Sequence, residues 1–390
     1  MKKIYFSLII SLSTLFCFAQ IPISEADFVA AVLKTNPAIK AANLGIEQQK
    51  ILRGASFNIP NPTIGTESPT GRFYTFTVQQ DFEFPTIYRQ RARVQEQIIA
   101  LSQRQMQLTE TELRRLARSV YLELQYARSL NAVLQQQDSF YQAIAKAAER
   151  QYSGGQINAL EQLTAQRRAT ESRQLWQQAQ SDTAFLTDQI KQLGGFTEGV
   201  IVLDLVKNNA FLLEKTVISQ NPTLSILQQT QALRQQEVAL EKAKALPSFY
   251  VGYFNQAERE TDLALRWRVG MGVPLWRGQF KANINAAQKS VDVAAANLST
   301  QQQNLELAAR QRFAEARKLD IAINTYSTTT LRQAEDIIAI STKLQKGGEL
   351  DLVAHLRNVA EAFQLKNNYL DIIKKYNQTI VELDFLTGKN

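Results

Sequence analysis

Phe73 to Pro85 reads FYTFTVQQDFEFP, in a chain otherwise dominated by Ala, Gln, Leu and Arg. Side chains of an extended strand alternate between two faces, so Tyr74, Phe76, Val78, Gln80, Phe82 and Phe84 lie together. Phe73, Thr75, Thr77, Gln79, Asp81 and Glu83 form the opposite face. A second stretch has the same build. Leu263, Leu265, Trp267, Val269, Met271, Val273 and Leu275 share one face, and Ala264, Arg266, Arg268, Gly270 and Gly272 the other. Each strand therefore requires an apolar surrounding on one side and tolerates charge and water on the other.

Outside these strands, glycine and proline punctuate the chain. Residues 86–153, 156–193, 279–346 and 349–387 contain neither, giving tracts of 68, 38, 68 and 39 residues. The long–short alternation repeats, which marks a duplication. Asn36-Pro37 and Pro62 return as Asn221-Pro222 and Pro247, displaced by 185; Pro85 returns as Pro274, displaced by 189. Gly154-Gly155 and Leu193-Gly194-Gly195 return as Gly347-Gly348 and Leu386-Thr387-Gly388, displaced by 193. The offset grows by four within the strand pair, and the second step of four predicts one extra helical turn in the long tract.

The organisation expected is a signal segment at 1–19, a first repeat at 20–195 and a second at 196–390. Each repeat reads helix, strand, strand, long helix, Gly-Gly turn, shorter helix. The opening helix is predicted from Ser24 to Phe57, with Ser24 and Asp27 as N-cap and first-turn acid. Strands follow near Thr63–Glu67 and Phe73–Phe84. The second repeat predicts a helix over Thr223–Leu246 and strands near Ser248–Asn255 and Leu263–Leu275, joined by a polar loop containing Glu258. The tracts are rich in good helix formers. A 68-residue helix would extend roughly 100 Å. No single globular core buries such a rod, so coiled-coil seams are expected, with Leu113, Leu116, Val120, Leu124, Ile337, Ile340 and Leu344 among the seam residues.

Met1-Lys2-Lys3, the apolar run Ile4 to Phe16 and Ala19 have the build of a secretory signal peptide, too short to span a bilayer comfortably. Phe16 precedes Cys17, where lipoprotein signals take a small residue, which argues against a lipid at Cys17. Cys17 is the sole cysteine, so the exported chain would rely on packing rather than disulfides. The formal charge of +8 is spread along helices where Lys and Arg alternate with Glu and Asp. That pattern lacks the basic stripe and stacking aromatics of a nucleic-acid binder.

With no apolar run beyond the signal long enough for a membrane helix, any later crossing must use strands. The dozen-residue strands have the length for it, and Phe82, Phe84, Tyr88 and Trp276 gather near one end as an interfacial girdle would. Four strands cannot close a barrel, and lipid-exposed edges would leave backbone groups unpaired. Several chains must then pool their strands, most economically with cyclic symmetry. The alternative is a soluble periplasmic coiled-coil scaffold whose sheet rests on its own helices.

The duplicated marks Asn36-Pro37…Pro62 and Asn221-Pro222…Pro247 resemble the TolC-like outer membrane efflux factors over essentially the whole mature chain. So does Gly155-Gln156-Ile157-Asn158-Ala159-Leu160-Glu161-Gln162-Leu163, with a fainter copy at Gly348-Glu349-Leu350-Asp351-Leu352-Val353. The resemblance implies a mainly α chain with a small β part, assembled as a homotrimer. Each chain would give four strands to a shared 12-stranded outer-membrane β-barrel above an α-helical periplasmic tunnel. The implied partners are a periplasmic adaptor (membrane fusion) protein, an inner-membrane pump of the resistance-nodulation-division type and outer-membrane lipid. Ser153, Gly154, Gly155, Gln156 and Ile157 would form one adaptor-docking tip, and Lys346, Gly347, Gly348, Glu349 and Leu350 the other. The family's acidic gate positions fall on Ala354 and Arg357, neither acidic. Glu161 and Asp351 remain as gate candidates, with Arg357 either pairing with one of them or simply solvated. Gln80-Asp81-Phe82-Glu83-Phe84-Pro85-Thr86-Ile87-Tyr88 is similar to members paired with heavy-metal cation pumps; drug efflux and protein secretion stay open.

Chemistry is otherwise absent from the sequence. His355 is the lone histidine and only Met106 and Met271 would survive export, so neither a triad nor a soft-metal cage is expected within one chain, and no cofactor. No nucleophile–base constellation points to an enzyme. Arg89, Arg91 and Arg93 suit a solvated or interfacial face. If Trp267 meets lipid, Arg266 and Arg268 face the barrel lumen.

Overall fold

The structure, a computed structural model, describes residues 21–68, 71, 75–197, 200–208, 218–255, 262 and 266–389. The expected signal segment, Phe73, Tyr74, 263–265 and the loop at Glu258 lie outside these residues. The chain opens with β1 (Ile21–Ile23), then α1 (Glu25–Thr35) and α2 (Pro37–Leu52), followed by a 3₁₀ turn over Arg53–Phe57. The single opening helix expected over 24–57 is thus broken at Asn36. There the side chain accepts from Ala38 N at 2.9 Å, and Pro37 takes the first helical position, where its missing N–H costs nothing. The second copy repeats the device: Asn221 accepts from Thr223 N at 2.9 Å ahead of Pro222. Ser24 caps α1 as expected, its hydroxyl accepting from Asp27 N at 3.1 Å.

Strands β2 (Thr63–Glu67) and β3 (Thr75–Phe82) lead into α3 (Pro85–Ser153), and α4 (Ala159–Gly194) follows. After β4 (Val200–Val202) come α5 (Pro222–Lys244), β5 (Ser248–Asn255) and β6 (Trp267–Gly272). The second long tract forms α6 (Gly278–Thr325), a π-helical segment (Tyr326–Thr330) and α7 (Leu331–Lys346), and α8 (Leu352–Thr387) completes the chain. Two expectations change here. The strand near 263–275 stops at Gly272, two residues before Pro274, which has no N–H to donate to a ladder. The surplus of four residues is not a helical turn. Segments α6, π and α7 hold 48, 5 and 16 residues, together matching the 69 of α3. The extra residues are the non-helical Pro274-Leu275-Trp276-Arg277.

The π segment has a chemical cause. Tyr326-Ser327-Thr328-Thr329-Thr330 is a run of hydroxyl residues, and Ser327 and Thr328 both donate to Asn324 O, at 3.1 and 2.8 Å. Side-chain hydroxyls that compete for backbone carbonyls loosen the i→i−4 ladder. Tyr326 is held by stacking on Tyr369, centroids 6.2 Å apart.

Two compact units form, and neither coincides with a sequence half. The first takes the described residues within 21–35, 117–207 and 323–374; the second takes those within 36–116, 208–322 and 375–389. In the first, β1 and β4 pair in parallel, Ile21 opposite Val200, a sheet the sequence did not announce. Phe28, Val32, Val120, Tyr121, Leu124 and Ile190 bury against them. The Tyr121 hydroxyl joins the two strands, donating to Ile23 O at 2.8 Å and accepting from Leu203 N at 3.2 Å. Arg118 pairs with Glu25 at 2.5 Å. A further cluster gathers Tyr141, Ala148, Ala165, Ala169, Leu352, Leu356, Val359 and Phe363. The seam of α7 faces inward through Ala334, Ile338 and Ser341, whereas Ile340, expected in the seam, is exposed; on α3, Leu116 is exposed too.

In the second unit β2, β3, β5 and β6 form one antiparallel sheet in that order. Glutamines tie its helices: Gln229 of α5 donates to Gln97 Oε1 of α3 at 2.8 Å, Gln236 to Gln90 at 2.5 Å, and Gln95 to Gln49 of α2 at 3.0 Å. Ile218, Leu224, Leu305 and Ala309 form an apolar knot there. Gly388, at φ +70°, ends α8 where an added Cβ would come within 2.3 Å of Gln220 O, so only glycine fits.

Replacing Tyr121 by Phe would keep the ring and remove the hydroxyl partner of the buried Ile23 C=O and the half-buried Leu203 N–H. A loss of about 1–3 kcal/mol in the stability of this unit is expected, read as faster amide exchange at 21–23 and 200–203.

Candidate functional site

The sheet's two faces differ as the alternation requires. Ile64, Val78, Tyr253 and Trp267 align across the four strands in one row. Gln80, Val251 and Val269 form another, and Phe82, Phe249 and Met271 a third. This face is left open on its outer strands: Ile64 is 66% exposed, Trp267 60%, Val269 78% and Met271 56%. Beyond β6, Leu275 and Trp276 are also exposed. A row of this size uncovered by the chain's own helices marks an interaction surface. Among the described residues, β2 and β6 each pair on one side only, leaving two open edges. Phe84 packs on Phe249 at one end of the sheet, centroids 5.9 Å apart.

The opposite face carries Thr63, Gln79, Gly252 and Arg268 in one row. Tyr250 lies over Gly270, where a Cβ would come within 2.1 Å of its ring. Arg268 stacks over Phe254, 4.0 Å from the centroid. Arg266 precedes β6 and donates to Asn255 Oδ1 at 3.0 Å. Only Arg268 of the two sits within the strand. Arg91 is tied down as well, forming a bidentate pair with Glu83 at 2.5 and 2.6 Å.

The Gly-Gly turns lie in the first unit. Gly155 and Gly348 take φ of +68° and +74°, and Gln156 N and Glu349 N reach back to Gln151 O and Leu344 O at 2.8 and 3.0 Å. These are the six-to-one bonds that close a helix end. Asn158 then starts α4 with a capping box: Glu161 N donates to Asn158 Oδ1 at 3.0 Å, and Asn158 N to Glu161 Oε2 at 2.9 Å. Asp351 starts the next helix, accepting from Ala354 N at 2.7 Å. Both gate candidates thus hold helix ends. Arg357 is exposed and, among the described residues, pairs with neither. Tyr152, Leu160, Leu163 and Val353 present exposed apolar surface beside the turns.

His355 was read from the sequence only as an isolated histidine. It is buried, and its Nδ1 lies 2.7 Å from Ser341 Oγ. Burial lowers its pKa below the ordinary histidine value. The Asn158-x-x-Glu161 spacing signalled the capping box; nothing in the sequence signalled the His355–Ser341 contact, because it joins two helices.

A cavity of about 320 Å³ lies between α3, α4 and α8, lined by Glu123, Tyr126, Phe185 and Lys374. Three of its polar groups are paired, Lys374 with Glu123 at 2.6 Å and Tyr126 with Asp371 at 2.5 Å, and Asp182 also lines it. Burial and the Asp371 carboxylate push the Tyr126 phenol well up. Among the described residues no cluster of three or more His, Cys, Asp or Glu is placed to hold a metal, and no helix is long and apolar enough to cross a membrane.

No family model and no curated protein matches the chain. Solved structures do. The Campylobacter jejuni CmeC outer membrane channel superposes with TM-score 0.75 at 15% identity, over 93% of this chain and 85% of that one. CusC, described in terms of transmembrane channel formation, gives 0.78 at 14% over 95% and 93%. The outer-membrane channel OprN gives 0.79 at 13% over 94% and 90%. The duplicated helices, the four-stranded sheet and this coverage together assign the chain the fold of the TolC-like outer-membrane channels.

Proposed function

We propose that the protein is a passive outer-membrane conduit, working as a homotrimer whose three sheets close one twelve-stranded barrel. The observation that carries this is the sheet itself: an apolar face uncovered on its outer strands, a polar face opposite, and two open edges. In lipid an open edge is untenable, and pairing β6 of one copy with β2 of the next removes every edge at once. A soluble scaffold would have its helices over Trp267, Val269 and Met271, which instead stand exposed. The likeness to CmeC, CusC and OprN supports the same function.

In this proposal the exposed apolar residues around Gly154-Gly155 and Gly347-Gly348 receive a periplasmic adaptor, and an inner-membrane pump supplies the energy. The cargo proposed is heavy-metal cations, on the phrase Gln80–Tyr88. Glu161, Asp351 and Arg357 are proposed to set the charge at the tunnel's closed end, the first two while capping their helices.

The protein should fractionate with the outer membrane and run as a heat-sensitive trimer in detergent, and a cysteine placed at Asp262 should react with an impermeant label on intact cells. A monomer in detergent with no surface labelling would exclude the conduit. Val269→Arg should cost about 2–4 kcal/mol if that position meets the bilayer centre, lowering trimer yield, whereas Gln79→Arg on the polar face should leave it unchanged. Replacing Arg266 and Arg268 together by Gln should shift planar-bilayer ion selectivity toward cations; unchanged selectivity would remove both from the lumen.

A further inference from the structure

We infer that His355 is an acid-sensitive latch fastening the α7–α8 hairpin to α3. Its bearing on transport rests on the conduit reading; the latch itself rests on packing within one unit. His355 is the single histidine of the chain and is 2% exposed, and its partner Ser341 is 3% exposed. The imidazole touches three helices. It belongs to α8, meets Ser341 Oγ of α7 at 2.7 Å, and lies against Phe140 of α3 with centroids 6.1 Å apart. Phe140 in turn packs edge-on to Phe363 and Tyr141, at 6.1 and 6.4 Å.

The site is built for a neutral ring. His355 sits in the first turn of α8, just past the Asp351 cap, where the helix dipole opposes positive charge. The titratable groups on the elements around it offer no rescue. Tyr141 of α3 is buried, and Arg168 of α4 acts on Tyr141 rather than on the imidazole. Lys343 of α7 is exposed, as is Asp351, whose carboxylate serves the helix end. Burial is the cause that displaces the histidine's pKa. A proton taken up from solvent would leave a buried cation against Phe140, which packs on the apolar cluster of Leu352, Leu356 and Val359, and an uncompensated buried charge costs stability in the packed state. Outside the cytoplasm the hairpin would meet the pH of the medium directly.

The direction follows from linkage. Because the packed ring has the lower pKa, the packed state loses stability as pH falls through the free histidine value of about 6.5. Amide protection over 338–359, corrected for intrinsic exchange, should fall up to tenfold per pH unit below that point and be flat in His355→Gln. With one histidine in the chain, ring-labelled NMR of the trimer reports this group alone, and its titration should lie below 6.5. A titration at or above 6.5, or the same loss of protection in both proteins, overturns the latch. Should His355→Gln fail to fold, the wild-type titration decides. A pH-dependent hairpin in a protein that carries no current at any pH supports the latch and overturns the conduit.

Discussion

Backbone hydrogen bonding governs the second unit. Among the described residues, strands β2 and β6 carry amides and carbonyls along their outer edges that no other strand pairs. Water satisfies such groups cheaply; hydrocarbon does not, at several kcal/mol for each one. The apolar row from Ile64 to Trp267 asks for a non-aqueous neighbour on the same strands. In the proposed conduit the two demands are met together when other copies supply the missing strands, so there the quaternary structure would follow from a requirement of the single chain.

The helices solve a different problem. Rods of 69 and 36 residues cannot share one core, so stability is distributed in small knots along them. Polar contacts fix their alignment. Tyr121 ties β1 to β4, Arg173 holds the buried Asp138 carboxylate at 3.0 Å, and glutamine pairs set α5 and α2 against α3. Side-chain hydrogen bonds of this kind contribute about 1 kcal/mol each, but they penalise a slipped register, which an apolar seam alone would tolerate.

Glycine and proline made most of the fold legible. Their absence delimited α3, α4 and α8 to within three residues at each end, and alternation assigned the faces of β3 and β6. What escaped was of two kinds. The β1–β4 pair is three residues long on each side and joins segments far apart in sequence, so no periodicity announces it. The break at Asn36-Pro37 is visible as a repeated landmark, and the asparagine ahead of the proline is the N-cap that starts α2 there. At the tips the turns were legible because left-handed backbone favours glycine. The capping role of Glu161 is carried by the Asn158-x-x-Glu161 spacing, whereas the contact of His355 with Ser341 depends on geometry that residue types do not specify.

The wide turn at Tyr326–Thr330 has a consequence for how the second rod is wound. An ordinary α-helix rotates by about 100° per residue, so one inserted residue would swing every later side chain away from its partner. A π turn accommodates such an insertion locally. Both long tracts of this chain hold 69 residues, so the hydroxyl run changes the local winding of the second rod and leaves its residue count as it is in the first.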